Sequence, residues 1–432
     1  GYQAGRVDQG SGAVALGYLA GATTQGSVGV ALGQSAGSFE QGDSTVAIGA
    51  NAAANSQGDY GVAIGRDAGK DAQGAVSVAI GYYSGRTSQG GGATAVGRQS
   101  GETSQGANTT AVGYLAGNAS QTAGATAVGQ QAGQINQAEN ATALGRGAGY
   151  TGQLDNAVAV GYNAGNDTQG SGSVAVGVQA GQTTQGGTAV AIGYNAGNAS
   201  QTTNAVAVGV NAGYSNQGGS SVAIGNLAAQ DTQASYAVAV GYSAGDTRQL
   251  GNTVAVGRQA GKLDQHINAV AIGYAAGESL QGVQGVALGY TAGRYNQLAN
   301  AVAIGNSAGN TGQGERGVAI GYTAGMTSQA TYGVAIGDAA GYTSQGNSAV
   351  AIGRSAGSQS QSTLSVAIGM QAGQLTQGQT AVAVGYRAGE NTQGESGTAV
   401  GFGAGLTTQE LGATALGYKA GNTTQGQQAT AV

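Results

Sequence analysis

The side chains that could do chemistry in this chain are sparse, and only two kinds recur at a fixed spacing. Glutamine returns every sixteen residues, from Gln9 through Gln25, Gln185, Gln201 and Gln217 to Gln425. Amides stacked at one spacing can each donate to the next and accept from the previous, as in Asn/Gln ladders, so this row reads as structural and buried. Tyrosine holds a second phase: twelve of the 20 Tyr share one position, among them Tyr162, Tyr194, Tyr242, Tyr274, Tyr290 and Tyr322. Arginine takes the same position at Arg66, Arg98, Arg146, Arg258 and Arg354. A site that accepts both residue types faces solvent or a subunit rim. The stripe therefore either shields the edge of the structure by ring stacking or offers an exposed binding surface to glycans or other proteins.

Nothing else assembles a reactive constellation. The one histidine, His266, stands at a variable position between Gln265 and Ile267 and reads as a solvated turn residue. The 19 acidic residues recur at no fixed position, which argues against paired carboxylates and against a repeated calcium site. Gly-rich stretches lack the GK[ST] and strand-to-helix context of a phosphate loop. Without Cys there is neither a disulfide framework nor a thiol nucleophile. No catalytic residue, cofactor or metal is expected, and the chain reads as non-enzymatic.

Composition narrows the partners. Charged residues make up 8% of the chain, the formal net charge is −5, and the 14 basic residues are scattered. Phosphate backbones and anionic membranes both need clustered Lys and Arg, so neither nucleic acid nor a membrane surface is an expected partner. Gly and polar residues interrupt every apolar run well short of the ~18 residues of a spanning helix. The 87 Gly with zero Pro do not fit collagen, which needs Gly at every third residue. The chain opens on Gly1 in mid-repeat, and the expectation is a segment of a longer fibre.

The elements that must position these side chains follow from the period. Ala189–Asn204 reads AVAIGYNAGNASQTTN, the next sixteen residues read AVAVGVNAGYSNQGGS, and the 432 residues hold twenty-seven such periods without insertion or deletion. One uninterrupted array, residues 1–432, replaces the two or three domains that length alone would suggest. Counting positions from the residue before the Val-Ala-Ile run, position 2 is Val or Thr, position 3 always Ala, position 4 always Ile, Val or Leu, and position 5 always Gly. β-branched residues at 2 and 4 with frequent Gly favour a strand over a helix. Positions 2 and 4 share one strand face and position 3 the other. Val190, Ile192, Val206 and Val208 are therefore expected to fill the coil core. The seven Thr at position 2 always accompany Val or Leu at position 4, and each hydroxyl is expected to find a backbone acceptor. Ala191 and Ala207, on the flat small-residue side, are expected to face a neighbouring chain or the tightest part of the core. Position 9 is Gly except at Ala53 and Ala229, which suggests that its turn does not require positive φ. With a second short strand near positions 11 to 13, the unit fits one coil of an all-β, parallel β-solenoid, equivalent residues stacking about 4.8 Å apart. A lone coil buries too little to offset the ordering of its backbone, so the coils hold as neighbours in an array. The thin core points to lateral self-association, a trimer, and the open ends at Gly1 and Val432 to end-to-end stacking as well.

The runs SVAIG (77–81, 221–225, 365–369) and GVAIG (61–65, 317–321, 333–337) resemble the head repeats of YadA-like trimeric autotransporter adhesins. AVGYLAG (111–117) and AVGYNAG (159–165) are similar to repeats of phage tail-fibre proteins. The resemblance implies a left-handed parallel β-roll, assembled as a homotrimer and displayed outside the cell or on a virion. It also implies that Val190, Ala191, Ile192 and their equivalents build the core and the inter-subunit face. The expected function is a structural and adhesive extracellular fibre segment, with a host surface protein or glycan as outside partner. The alternative is an ice-binding or other surface-array-binding solenoid, weakened by the mixed residues that replace Thr at position 12.

Overall fold

The computed structural model describes residues 1–432 and contains strands and turns without a helix. It is a parallel β-solenoid with sixteen residues per turn and about 27 coils. Each coil carries two short strands. The first covers positions 2 to 4, as in Val190–Ile192, and the second ends on the glutamine, as in Ala199–Gln201. Val190 pairs in parallel with Val206, Ala191 with Ala207 and Ile192 with Val208, while Gln201 pairs with Gln217. The sixteen-residue register sets identical side chains over one another, about 4.8 Å apart.

Two compact units divide the chain, Gly1–Gly219 and Ser220–Val432. The first runs from the strand Val7–Gln9 to the strand Ser215–Gln217, and the second from Val222–Ile224 to Thr430–Ala431. Within each unit both kinds of strand pair only with their equivalents one coil away, as in Val238 with Val254 and Gln249 with Gln265.

Tight turns join the two strands. Between Gly193 and Ala196 the Ala196 N–H donates to Gly193 O at 3.5 Å, with Asn195 at φ +54°. Between Gly186 and Ala189 the Ala189 N–H donates to Gly186 O at 3.4 Å, with Thr188 at φ +53°. Of the two central residues only the second has positive φ, which is the pattern of a type II turn. Position 5 needs Gly on two counts. Gly193 has φ +130°, and a Cβ there would lie 2.6 Å from the Gly209 carbonyl oxygen of the next coil. Position 9 also has positive φ, and this corrects the expectation drawn from its two alanines: Ala53 and Ala229 themselves adopt +44° and +47°.

The structure reverses the expected faces of the first strand. Ala191 and Ala207 are fully buried within the single chain, together with Ala189, Ala196, Ala205 and Ala212. They line the narrow coil interior, the second of the two placements expected for them, and present no inter-chain face. Val190, Val206 and Val208 are half-buried and Ile192 is 40% exposed, so these four do not form the coil core. The reason is interior width. Two three-residue strands closed by two four-residue turns leave room for methyl groups and one amide, and a branched side chain at position 3 would overfill that space.

Candidate functional site: the glutamine row and the exposed side-chain rows

The buried glutamine is the one long side chain that the interior admits, and Gln201 is 1% exposed. Its Nε2 donates to Val190 O at 2.9 Å, to Ala205 O at 3.3 Å and to Gln217 Oε1 at 3.0 Å. Gln185 Nε2 in turn donates to Gln201 Oε1 at 3.0 Å. The row therefore links coils along the axis. It also ties the two strands of one coil together across the interior, a second task that repeat spacing alone does not reveal. In the first unit Gln9 donates to Gln25, but the carbonyl oxygens of Gln41, Gln89 and Gln105 are buried without a donor. In the second unit the amide chain runs without a break from Gln233 to Gln425, beginning at 2.9 Å from Gln233 to Gln249 and ending at 2.8 Å from Gln409 to Gln425. A buried amide with its partners in place is held rigidly, which suits a structural role for the row.

Position 6 lies outside. Tyr162, Tyr194, Tyr242, Tyr274, Tyr290 and Tyr322 are exposed to between 36% and 60%. The structure brings three of them into one stack: the Arg258 guanidinium lies 5.6 Å from both the Tyr242 and Tyr274 rings, and Tyr274 stacks on Tyr290 at 5.0 Å. Arg146 lies 5.5 Å from the Tyr162 ring. Tyr194 stands between Val178 and Val210 in the row, and Tyr322 between Asn306 and Asp338, so the stripe is not a continuous aromatic track. Stacked rings cover one another's faces and present edges, which suits shielding of the turn.

A third row, at position 10, escaped sequence reading because its residues vary. On consecutive coils it carries Asp246, Lys262, Glu278 and Arg294, alternating in sign. Arg294 Nε is hydrogen-bonded to Glu278 Oε2, and this bond raises the pKa of the guanidinium. Burial pushes the Asp246 carboxyl above its ordinary range, partly offset by Lys262 and the Ser243 hydroxyl. Arg86 and Glu102 form the matching pair in the first unit at 3.6 Å. The available signal was charge alternation at sixteen-residue spacing, not residue identity.

His266 is exposed beside a small cavity of about 120 Å³ lined by Arg248, Leu250 and Asp264, and Arg248 pairs with Asp264. No group of three His, Cys, Asp or Glu side chains is placed to hold a metal ion.

The outer face of the first strand is exposed along both units. Position 4 projects Ile, Val or Leu from every coil and position 2 projects Val or, in seven coils, Thr, and no copy places a charged residue at either position. Exposure at position 4 is 40% at Ile192 and Ile224 and 41% at Leu288, and rises to 49% at Leu416 and 65% at Leu16 toward the ends. Thirteen such coils in the first unit and fourteen in the second, with Thr at position 2 in four and three of them, give each unit a largely apolar face on the order of 1,000 Å², beyond the ~300–600 Å² patches of ordinary monomers. No protein-family model and no curated protein matches the chain.

Proposed function

We propose that this chain is a structural fibre segment whose coils associate side by side with copies of the same chain through the outward Val/Ile face. One observation carries the reading: the branched Val, Ile and Leu side chains of the first strand point away from the coil, in a row unbroken at position 4 and free of charge at both positions, while the interior is filled by Ala and Gln. Such a face is of the size that stable protein interfaces bury, ~800 Å² per partner. A homotrimer of left-handed coils, displayed outside the cell or on a virion, is the assembly that the resemblance to adhesin heads and tail fibres implies. In that setting the coils act as a spacer, and the exposed Tyr row at the turn is the surface offered to a host glycan or protein. The expected chemistry is attachment, not turnover.

Light scattering on the full chain tests the reading, with three times the chain mass as the expected value. Ile192→Asp combined with Val176→Asp places two carboxylates on the face without touching the interior. It should return a monomer with an unchanged circular dichroism spectrum. A wild-type chain that stays monomeric at micromolar concentration overturns self-association. A second reading, binding to a repeating lattice such as ice, draws support from the regular repetition of the same face. Thermal hysteresis in the wild-type chain, undiminished by the two Asp substitutions, would favour other rows, whereas hysteresis lost with them would place the lattice contact on the Val/Ile face.

A further inference from the structure

A face that repeats at every coil creates a problem for any two copies that pack through it. Sliding one copy by a single coil, about 4.8 Å, restores nearly the same contacts, so a uniform apolar face does not specify axial alignment. The face is not uniform. In the first unit position 2 changes from Val to Thr on four consecutive coils, at Thr94, Thr110, Thr126 and Thr142, and returns to Val at Val158. Thr has the shape of Val, so the block alters polarity without altering relief. All four side chains are half-exposed on the outer face, and none of their hydroxyls makes a hydrogen bond within the chain. This corrects the expectation that each would find a backbone acceptor: the backbone carbonyls of these four residues instead accept from the interior glutamines Gln105, Gln121, Gln137 and Gln153.

We infer that the block Thr94–Thr142 sets the axial register of the assembly, because only alignment of equal coils places the four unpartnered hydroxyls opposite one another. This rests on the self-association proposed above and specifies its partner: a second copy of this chain, parallel and with no coil offset. In that alignment Thr meets Thr and the hydroxyls bond across the interface. A slip of one coil sets one Thr of each copy against Val, a slip of three coils sets three, and each hydroxyl so buried is left without a partner. The cost therefore grows with the offset, and misaligned assemblies convert to the aligned one.

Disulfide trapping reads the alignment directly, since the chain has no Cys of its own. Chains carrying Val158→Cys are mixed with chains carrying Val206→Cys, in the wild-type background and with Thr94, Thr110, Thr126 and Thr142 all changed to Val. Aligned copies join Cys only to the same position. A mixed Val158→Cys/Val206→Cys dimer forms only after a slip of three coils. The expected result is same-position disulfides in the wild type, and a rise of about tenfold or more in the ratio of mixed to same-position product in the Val variant, equivalent to a loss of about 1.4 kcal/mol in register preference. Circular dichroism checks that the Val variant is folded. An unchanged ratio in a variant that still assembles overturns the register role and leaves the interface standing. Assembly without same-position disulfides in the wild type overturns parallel alignment. Absence of assembly defeats the self-association reading itself.

Discussion

Replacing Gln201 by Leu should destabilise the first unit more than the same change at Gln89, although both residues are buried at the same repeat position. Gln201→Leu removes an amide whose two N–H groups are shared among Val190 O, Ala205 O and Gln217 Oε1, leaves Gln217 Oε1 without that donor, and takes from Gln185 Nε2 one of its three acceptors. Gln89 donates only to Val78 O and Ala93 O, and its own Oε1 is already without a donor. At a net ~1 kcal/mol per hydrogen bond and ~1–3 kcal/mol for each buried polar group deprived of its partner, Gln201→Leu should cost about 4 kcal/mol. For Gln89→Leu, two modest bonds are lost and one unsatisfied oxygen is removed, so about 1 kcal/mol is expected. Stacked coils need not unfold in one step, so a global melting curve blurs the comparison. Native-state hydrogen exchange at the strand amides of the flanking coils, Val174–Val176 and Val206–Val208 for Gln201, and Val62–Ile64 and Thr94–Val96 for Gln89, measures local opening instead. Equal loss of protection at the two sites, or greater loss around Gln89, would refute the ladder as a source of stability.

The two turn glycines separate by mechanism. Gly193→Ala puts a methyl 2.6 Å from the next coil's carbonyl at φ +130° and should cost at least ~1–3 kcal/mol, whereas Gly197→Ala should cost less, since Ala53 and Ala229 occupy its equivalents; chemical denaturation of the pair measures the difference. Ala191→Leu with Ala207→Leu overfills the interior and should unfold the local coils at a cost of about 3 kcal/mol or more, visible in circular dichroism, with any loss of assembly secondary to it. Asp246 tests linkage. Its folded pKa lies above the unfolded value, so the folded state binds the proton more tightly, and the associated stability is present at low pH and lost as pH rises through the raised pKa. Asp246→Asn should therefore stabilise the second unit at neutral pH and flatten the acid limb of its pH–stability profile; unchanged stability at neutral pH would count against a burial cost at this site.

The period, the strand at positions 2 to 4 and the glutamine as an interior amide were all legible in the residues. A repeat of sixteen without insertions admits few folds, and an invariant Gln among small residues has few uses outside a stack. Strand geometry also settled that positions 2 and 4 share a face opposite position 3. Which face turns inward was not legible, because side-chain hydrophobicity favours Val190 and Ile192 as core. Closure of the coil decided otherwise: the space left between two short strands and two tight turns accepts Ala191, Ala196 and one Gln201 amide, and pushes the branched side chains out. Local backbone choice shows the same limit. Thr184, in Thr183–Gln185, has φ +47°, whereas Thr408 in the same Thr-Thr-Gln context is not left-handed and pairs as a strand residue with Thr424. One tripeptide takes both conformations, so its residue types alone do not select between them. Residue types determined what this protein repeats; the width of the closed coil determined what it hides and what it presents.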